Sequence, residues 1–378
     1  MKIAFIGQKG IPATFGGVEY HVEELALRLT ARGHDVTAYV RDWYTPREQL
    51  EFCGVKLKHA PTIKTKHLDA FVHSFACSID ALLNQYDIIH YQAIGPSFFS
   101  WMPKLKGNGI VVTIHSYDYK AGKWGGCARY FLKKCETMAL KIPHHTIVVA
   151  KHQRDFYRSL GNDVIYIPNG VPLPESSEPH EITSKFGLKG RDYILSMGRL
   201  VPEKRIDWLL DSFLKIKPDS IKLVIAGGSS ATDDYVAALH RRAKGDADVI
   251  FAGYVAGRLK AELFSNARLF VIPSELEGLP IALLEAMSYS LPCLASDIPP
   301  HLEVITDSVN GFLFNKDNQN DLTQNIQSLL TLDDQKLFAI GEEARLLVAG
   351  SYNWDDVVDQ VEDIYYGLLN GTSFKLAA

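Results

Sequence analysis

The sequence predicts an α/β protein with two domains, each built on a doubly wound parallel sheet. Short apolar runs typical of strands alternate with segments of helical periodicity along the chain, as expected for parallel sheets covered on both faces. The alternation stops once, at a segment rich in Pro, Ser and acidic residues, 168–181, and then begins again. A length of 378 residues is sufficient for two domains of ordinary size.

The first domain is predicted over residues 1–168. "KIAFIG" indicates a buried strand, and Val18–Ala31 indicates a helix because Val18, Val22, Leu25 and Leu29 recur at helical spacing. A glycine then ends the helix, and "DVTAYV" follows as the second strand. The remaining predicted strands of this domain are "DIIHYQ", "GIVVTIH", "HTIVVA" and "DVIYIP".

The second domain is predicted over residues 169–353. Its first strand, "DYILSMG", leads to a helix whose expected inward residues are Ile206, Leu209, Leu210, Phe213 and Leu214. Four further strands are predicted at "IKLVIAGG", "DVIFAGYV", "ARLFVIPS" and "LPCLASD". We expect the last helix, about 354–370, to pack back onto the first domain, and a ligand to bind in the cleft between the domains.

The composition argues against several classes of protein. A hydrophobic fraction of 47% and a charged fraction of 22% are typical of a soluble globular chain. The sequence has no apolar run of about 18 residues, and "MKIAFIG" is too short for the core of a signal peptide. Five cysteines without a Cys-x-x-Cys pair favour reduced thiols in a cytoplasmic protein over a zinc site or disulfides.

The stretch "PSELEGLPIALLEAMS" predicts a ligand site at the carboxyl end of a strand. A helix that begins near Pro280 offers unpaired N–H groups to a phosphate. Side chains tilt toward the start of their helix, so Glu285 can reach back toward hydroxyls such as those of a ribose. Glu277, in the turn, would lie near the far end of the same ligand. The alternative is that Glu285 pairs with a basic core residue and Glu277 is merely solvated.

A second candidate is the loop in "SMGRLVPEKRIDWLL", where Arg199 and Lys204 follow a strand. An Arg fork and a mobile Lys charge together could neutralise a diphosphate without a metal ion. The alternative is an ordinary solvated basic loop. "DAD" at Asp246–Asp248 matches a metal-binding D-x-D pattern, but it precedes a strand and is interpreted as a loop. "GQKG" at Gly7–Gly10 only weakly suggests a dinucleotide-binding oxidoreductase, because its third glycine is misplaced.

Four motifs of the second half occur in order: "GRLVPEKRID", "AGG", "FAGYV" and "PSELEGLPIALLEAM". Together they resemble the carboxyl-terminal domain of the family 4 nucleotide-sugar glycosyltransferases. "GQKGIPATFGGVE", "TIHSYD" and "IPNGV" in the first half are also similar to that family. The resemblance implies the GT-B fold, in which two Rossmann-like domains face a cleft.

The resemblance also implies residue roles. Arg199 and Lys204 would hold the donor diphosphate, Glu285 the ribose hydroxyls, and Glu277 the hydroxyls of the transferred sugar. His115 would contact the donor sugar near the reacting carbon, although it could instead be an ordinary residue at a strand end. The other implied donor contacts are Gly16, Gly17, Gly253, Tyr254, Val255, Gly278, Leu279, Pro280 and Ile281.

The sequence departs from the family pattern at two places. Arg205 stands where a Gly or Asn is common after the Lys, and Leu279-Pro280 replaces a frequent aromatic-Gly pair. Both changes lie in the donor pocket that the resemblance implies, where they would tune which nucleotide sugar fits.

The implied activity is that of a metal-independent, retaining hexosyltransferase. It would move a sugar from a nucleotide diphosphate sugar, with UDP-sugars among the expected donors, to a glycan or lipid-linked acceptor in cell-surface polysaccharide synthesis. No cofactor, metal ion or nucleic acid partner is expected. A nucleotide-sugar epimerase of the same fold and a non-catalytic nucleotide-sugar-binding subunit remain as alternatives.

The charge is distributed unevenly along the chain. Residues 1–168 hold 21 Lys and Arg against 14 Asp and Glu, a net charge of +7, and the remainder holds 19 against 30, a net charge of −11. Part of the excess lies in Val55–Phe75, which contains Lys56, Lys58, Lys64, Lys66, His59, His67 and His73. We expect this stretch to attract an anionic membrane, so that a cytoplasmic protein binds peripherally at its inner face. An ordinary solvated loop and helix face is the alternative.

Overall fold

The computed structural model describes residues 1–65, 68–117, 125–230 and 232–371. The chain divides into two compact units: the first comprises Met1–Gly170 with the helix that begins at Trp354, and the second comprises Val171–Asn353. Each unit has a sheet of its own, flanked by helices. The predicted class, two α/β domains with largely parallel sheets, is therefore confirmed. The cleft expected between the domains stays a prediction.

The sheet of the first unit has eight strands in the order β3-β4-β2-β1-β5-β6-β7-β8. Their bounds are β1 Lys2–Ile6, β2 Asp35–Val40, β3 Glu51–Phe52, β4 Val55–His59, β5 Ile88–Gln92, β6 Gly109–Ile114, β7 His145–Val148 and β8 Ile165–Tyr166. All neighbours pair in parallel except β3, which is antiparallel to β4. This edge hairpin was not predicted from the sequence. Its two-residue loop, Cys53-Gly54, has φ values of 47° and 86°, and positive φ at both loop positions suits a tight hairpin.

Among the described residues of the first unit, six α-helices cover the two faces of this sheet. Their bounds are α1 Gly17–Ala31, α2 Asp69–Leu83, α3 Trp101–Lys104, α4 Gly126–Lys141, α5 Lys151–Ser159 and α14 Trp354–Asn370. The core on one face includes Val22 of α1 and Val358 of α14, and the core on the other includes Cys77 of α2 and Cys135 of α4. The last helix of the chain thus completes the core of the first unit, because its apolar stripe packs beside α1.

The second unit has six strands, all parallel, in the order β11-β10-β9-β12-β13-β14. Their bounds are β9 Tyr193–Met197, β10 Lys222–Ala226, β11 Val249–Gly253, β12 Leu269–Ile272, β13 Cys293–Ser296 and β14 Phe312–Phe314. Strands β9, β10 and β11 follow one another toward one edge of the sheet, and strands β12, β13 and β14 follow one another toward the other edge. The boundary between β9 and β12 is therefore a topological switch point, and ligands of such sheets bind at the carboxyl ends of the strands there.

The described part of the second unit contains eight α-helices. Their bounds are α6 Glu181–Phe186, α7 Ile206–Ile216, α8 Asp233–Ala243, α9 Gly257–Asn266, α10 Ile281–Ser288, α11 Pro299–Leu302, α12 Gln319–Leu330 and α13 Asp334–Ser351. Four of the predicted inward residues of α7 are buried, and Leu214 is only partly buried at the margin of the core. A search of the described residues finds no helix with the length and apolar character needed to cross a membrane.

Candidate functional site

The loops that follow β9, β10 and β11 pack backbone against backbone. A Cβ added to Gly227 would lie 1.8 Å from the carbonyl oxygen of Gly198, and the φ of Gly227 is +136°. The Gly227 N–H also donates to the Gly253 carbonyl over 2.7 Å. Glycine is needed at this contact because any side chain would push the loops apart. The result is a backbone-lined surface at the carboxyl ends of three adjacent strands.

Two cationic side chains lie at this surface. Arg199 is exposed directly after β9, and Lys204 ends a 3₁₀ turn, Pro202–Lys204, within 3.9 Å of the point that a Gly198 Cβ would occupy. Partial burial raises the pKa of the Tyr254 hydroxyl, and the positive charge of Arg199 opposes that rise. The charge of Arg199 is thus felt at Tyr254, in the loop after β11. The Tyr254 hydroxyl itself donates to the Ser229 carbonyl over 2.7 Å. Arg199 and Lys204 therefore both lie in the loop that follows β9, beside the switch point.

Glu277 lies beside Lys204. Its Oε1 contacts the Lys204 ammonium and accepts a hydrogen bond from the Ser274 hydroxyl over 2.7 Å. Burial by itself would raise the pKa of this carboxyl, but the charge and the hydrogen bond of Lys204 outweigh burial and lower it. Glu277 is therefore ionised at neutral pH. Because an ammonium has three N–H donors, Lys204 can bind Glu277 and a phosphate oxygen at the same time.

A buried polar chain that the sequence analysis missed lies behind Glu277. The Ser296 hydroxyl donates to the Ser274 carbonyl over 2.5 Å, and His301 Nδ1 lies 2.8 Å from the Ser296 carbonyl oxygen. Because a carbonyl only accepts, Nδ1 carries the proton. Burial lowers the pKa of His301 to about 4, although the charge of Glu277 opposes this shift. The position of His301, just after the strand "CLAS", was the available signal.

Glu285 is the fifth residue of α10 and is only 6% exposed. Its Oε1 lies 2.5 Å from Nζ of Lys260 on α9, a side chain that is 26% exposed. The alternative considered from sequence, in which Glu285 pairs with a basic residue, therefore has a specific partner. The carboxylates of Glu277 and Glu285, which have seven residues between them, contact different cations. Glu277 contacts the Lys204 ammonium, and Glu285 contacts the Lys260 ammonium.

The remaining residues expected to bind the donor lie in the loops around these side chains. Gly278, Leu279 and Pro280 are buried, and α10 begins after them at Ile281, which is half-buried. Proline has no N–H, so the first backbone donors of this helix come from Ile281 and the residue after it. Gly253 is exposed at the end of β11, and Val255 is half-buried in the loop that follows.

The structure gives a physical reason for the family's preference at position 205. Arg205 has a φ of 51°, in the left-handed region that Gly and Asn occupy more readily than other residues. Its side chain is held on both sides: Nε lies 2.7 Å from Glu275 Oε1, and the guanidinium lies 4.4 Å from the centroid of the Trp208 ring. These two contacts stabilise Arg205 in a left-handed backbone conformation that arginine adopts less readily than Gly or Asn.

The residues expected from the first half lie in the first unit. Gly16 has a φ of +104°, and a Cβ there would lie 1.9 Å from Oε2 of Glu19; Gly17 begins α1. His115 follows β6, with Nε2 2.8 Å from Gln92 Oε1 and its ring 4.9 Å from that of His21. Burial lowers the pKa of His115 well below its ordinary value, so the imidazole is neutral at pH 7.

Two lysines and one histidine of the basic stretch Val55–Phe75 contact neighbouring acids. Lys56 Nζ lies 2.7 Å from an Asp35 oxygen, Lys58 Nζ lies 2.6 Å from Asp80, and His59 Nδ1 lies 2.8 Å from Asp42. His73 is buried, and Lys64 lies 5.1 Å from the centroid of the Trp43 ring. Lys66 and His67 are outside the described residues. The stretch therefore carries less unbalanced charge than its sequence suggests.

The described part of the chain contains no candidate metal-binding site. It contains no group of three or more His, Cys, Asp or Glu side chains that could hold an ion. Asp246 and Asp248 lie in the loop before β11, where the carboxylate of Asp246 accepts the Asp248 N–H over 3.0 Å. The Asp246 carboxylate therefore stabilises the turn in which it lies.

Two family models describe most of the chain. The model for glycosyl transferases group 1 matches residues 180–363, and the model for glycosyltransferase family 4 matches residues 15–174. The chain belongs to the family 4 glycosyltransferases. The family models thus confirm the resemblance carried by the sequence motifs.

Relatives and solved structures agree with this assignment. An uncharacterized glycosyltransferase of Methanocaldococcus jannaschii is 26% identical over 97% of this chain and 98% of its own length. An Escherichia coli UDP-Gal:alpha-D-GlcNAc-diphosphoundecaprenol alpha-1,3-galactosyltransferase is 25% identical over 75% of this chain and 76% of its own.

Among solved structures, sucrose-phosphate synthase from Thermosynechococcus elongatus superposes with a TM-score of 0.84, 20% identity, and coverage of 98% of this chain and 100% of that one. Anabaena HepE in complex with UDP and glucose gives a TM-score of 0.79 at 19% identity, covering 97% of this chain and 100% of that one. These likenesses confirm the GT-B fold.

Proposed function

We propose that this glycosyltransferase transfers a hexose, with retention of configuration, from a nucleotide diphosphate sugar to a lipid-linked or glycan acceptor. The observation that carries the proposal is the Lys204–Glu277 pair beside Arg199 at the switch point of the second unit. It sets cations for a diphosphate next to an ionised carboxylate that can accept hydrogen bonds from sugar hydroxyls.

The proposed reaction uses these groups as follows. The bond between the anomeric carbon and the diphosphate oxygen breaks, and the acceptor hydroxyl oxygen bonds to that carbon on the same face. The acceptor's proton passes to the departing diphosphate. Arg199 and Lys204 stabilise the negative charge that develops on the leaving group, and electrostatic stabilisation of this kind is the largest contribution expected. Two such cations remove the need for a metal ion.

Two neighbours support the choice of substrates. The Escherichia coli relative is named for a UDP-sugar and for an acceptor carried on diphosphoundecaprenol, and the Anabaena structure holds UDP and glucose. We therefore propose UDP-hexoses as the first donors to test and a polyprenyl diphosphate glycan as the first acceptor. Such an acceptor would place the enzyme in the synthesis of a cell-surface polysaccharide.

Donor binding can be tested by thermal shift with UDP-, GDP-, ADP- and dTDP-sugars, with NAD(P) as a comparison. We expect stabilisation by one nucleotide class, lost in Lys204→Met and kept in Lys189→Met, which changes an exposed lysine away from the site. Stabilisation by NAD(P) alone would overturn the proposal. With the donor known, transfer to the lipid-linked acceptor supports it. Epimerisation without an acceptor indicates the epimerase, and binding without turnover indicates the non-catalytic subunit.

A further inference from the structure

A ladder of polar side chains crosses strands β5 and β6 of the first unit, beneath helix α14. His90 and Gln92 lie two residues apart on β5, so their side chains share one face of the sheet. His90 Nε2 lies 2.7 Å from Thr113 Oγ1 of β6, and His90 Nδ1 lies 2.6 Å from the Tyr365 hydroxyl of α14. One step further toward the carboxyl ends of the strands, Gln92 Oε1 lies 2.8 Å from His115 Nε2.

Gln92 is a costly residue for the position that it occupies. Its side chain is fully buried, and its Nε2 has no hydrogen-bond partner among the described residues. An unsatisfied buried amide group costs free energy that an apolar side chain of similar size would avoid. The stability of the core therefore does not account for a glutamine here, and the hydrogen bond that its amide oxygen does form is with His115.

The hydrogen bond with Gln92 decides which nitrogen of His115 carries the proton. An amide oxygen can only accept a hydrogen bond, so Nε2 of His115 must donate it. In a neutral imidazole with its proton on Nε2, the lone pair lies on Nδ1. Because His115 is only partly buried whereas Gln92 is fully buried, the imidazole is the member of this pair that a ligand can reach.

The surroundings of His115 keep its imidazole uncharged. Burial, followed by the electrostatic effects of His21 and His90, lowers the pKa of His115 well below its ordinary value. The ring of His21 on α1 lies 4.9 Å from that of His115, and burial lowers the pKa of His21 to about 4. Burial likewise lowers the pKa of His90 on β5 to about 3. All three rings are therefore neutral at pH 7, and His115 offers a lone pair without a positive charge.

We propose that Gln92 is a positioning residue for His115: it fixes the imidazole proton on Nε2 and keeps the Nδ1 lone pair available to the donor sugar. The second half of this statement rests on the proposed function, in which His115 is expected to contact that sugar. Breaking the bond between the anomeric carbon and the diphosphate develops positive charge on the sugar ring. A lone pair on an uncharged imidazole stabilises that charge, whereas an imidazolium would repel it.

Nitrogen NMR of the full chain with labelled histidine rings, without any ligand, measures the tautomer directly, and His115→Gln identifies the His115 signals. We expect a neutral wild-type ring with its proton on Nε2 between about pH 5 and 8. Gln92→Leu should spread the proton over both nitrogens, with loss of the slowly exchanging Nε2–H signal. Its urea midpoint should change little, because the unsatisfied amide group is removed together with the hydrogen bond. Gln92→Glu keeps an acceptor, so it should keep the proton on Nε2 and raise the pKa of His115, since a carboxylate favours the imidazolium.

Gln153→Leu is the matched control. It removes another fully buried glutamine of the first unit, whose amide has no hydrogen-bond partner among the described residues, so the His115 signals should stay as in the wild type. A wild-type ring with its proton on Nδ1, or wild-type His115 signals in folded Gln92→Leu, would overturn the proposal. If Gln92→Leu does not fold, Gln92→Glu decides, because an unchanged pKa of His115 in that variant would overturn it as well.

Turnover with an identified donor adds a pH profile that a merely structural glutamine would not change. The wild-type rate should stay level as pH falls from about 8 to 5, whereas the rate of Gln92→Glu should fall as pH drops through the raised pKa of His115. Identical profiles would contradict the link between Gln92 and the reaction. If no nucleotide sugar is turned over, the proposed function fails, while the NMR spectra, recorded without a donor, still decide whether Gln92 fixes the proton of His115.

Discussion

Glu285→Gln separates a structural carboxylate from one that binds the donor. Glu285 is 6% exposed, and Nζ of Lys260 lies 2.5 Å from its Oε1. Removing one member of a fully buried ion pair costs about 3–5 kcal/mol. Because the Lys260 side chain is 26% exposed, water can solvate its ammonium once the carboxylate is gone. We therefore expect Glu285→Gln to cost only ~1–2 kcal/mol of stability.

Glu262 provides the matched control. It is fully buried on α9, its Oε2 accepts the N–H groups of His180, Glu181 and Ile182 at 2.6–3.1 Å, and its Oε1 pairs with Arg258 at 2.8 Å. Burial raises the pKa of this carboxyl, but these hydrogen bonds outweigh burial and lower it. Glu262→Gln should therefore destabilise the fold more than Glu285→Gln does, without changing donor affinity in the molecules that remain folded.

The assay combines urea unfolding midpoints with donor titration by calorimetry for the wild type and both variants. If Glu285 binds the ribose, Glu285→Gln should weaken donor affinity by roughly 10–100-fold, the loss of one or two charge-assisted hydrogen bonds. Lys260→Met, which keeps the carboxylate, should weaken donor affinity much less. A stability loss in Glu285→Gln with unchanged donor affinity would refute the binding role and leave Glu285 as one half of an ion pair.

Three further predictions concern the same fold. Lys204→Ala should lower turnover by roughly 10²–10³, and wild-type activity should survive EDTA in a product assay; complete loss that magnesium restores would count against leaving-group stabilisation by side chains. Gly227→Ala should lower the thermal midpoint and donor affinity, because its Cβ meets the Gly198 carbonyl, whereas Gly245→Ala, also at positive φ but with open space, should spare donor affinity; equal effects would refute the packing argument. Burial, with a smaller effect of His21, lowers the pKa of His90 from 6.5 to about 3. Between these pH values the unfolded chain binds a proton at His90 that the folded chain does not, so the free energy of unfolding falls as pH drops from about 6.5 toward 3. His90→Gln should flatten that fall in urea midpoints, and an unchanged slope would contradict it.

The fold class could be predicted because hydrophobic periodicity is local. Helix α1 was expected over Val18–Ala31 and lies over Gly17–Ala31. It could be predicted because the spacing of apolar residues within the segment itself indicates a helix. The hairpin strand β3 was missed because it is two residues long, and the turn at Cys53-Gly54 rather than an apolar run creates it. Periodicity finds elements long enough to show a period, and short edge strands are not among them.

The partners of charged side chains could not be predicted, because they come from distant parts of the chain. Lys56 meets Asp35, Lys58 meets Asp80, and Glu285 meets Lys260 across 21 to 25 residues. The unbalanced charge of Val55–Phe75 is therefore smaller than a count of its own residues suggests, and its attraction for a membrane stays a prediction. The exposed apolar side of α2, which carries Phe71 and Phe75, was missed for a related reason: in the sequence it resembles a second buried side until the structure shows which residues are covered.

Pairing alone does not separate structural from ligand-binding carboxylates, because a buried carboxylate needs partners in either case. The nature of the partner is more informative. Glu262 is held by three backbone N–H groups of α6, whose positions are fixed by the helix, so exchanging them for a ligand would require the helix start to move. Glu277 and Glu285 contact lysine ammonium groups, each of which has three N–H donors and can therefore bind a ligand oxygen while it keeps the carboxylate. The seven residues between Glu277 and Glu285 matter because they place one carboxylate in the turn and one in the helix, each beside a lysine ammonium.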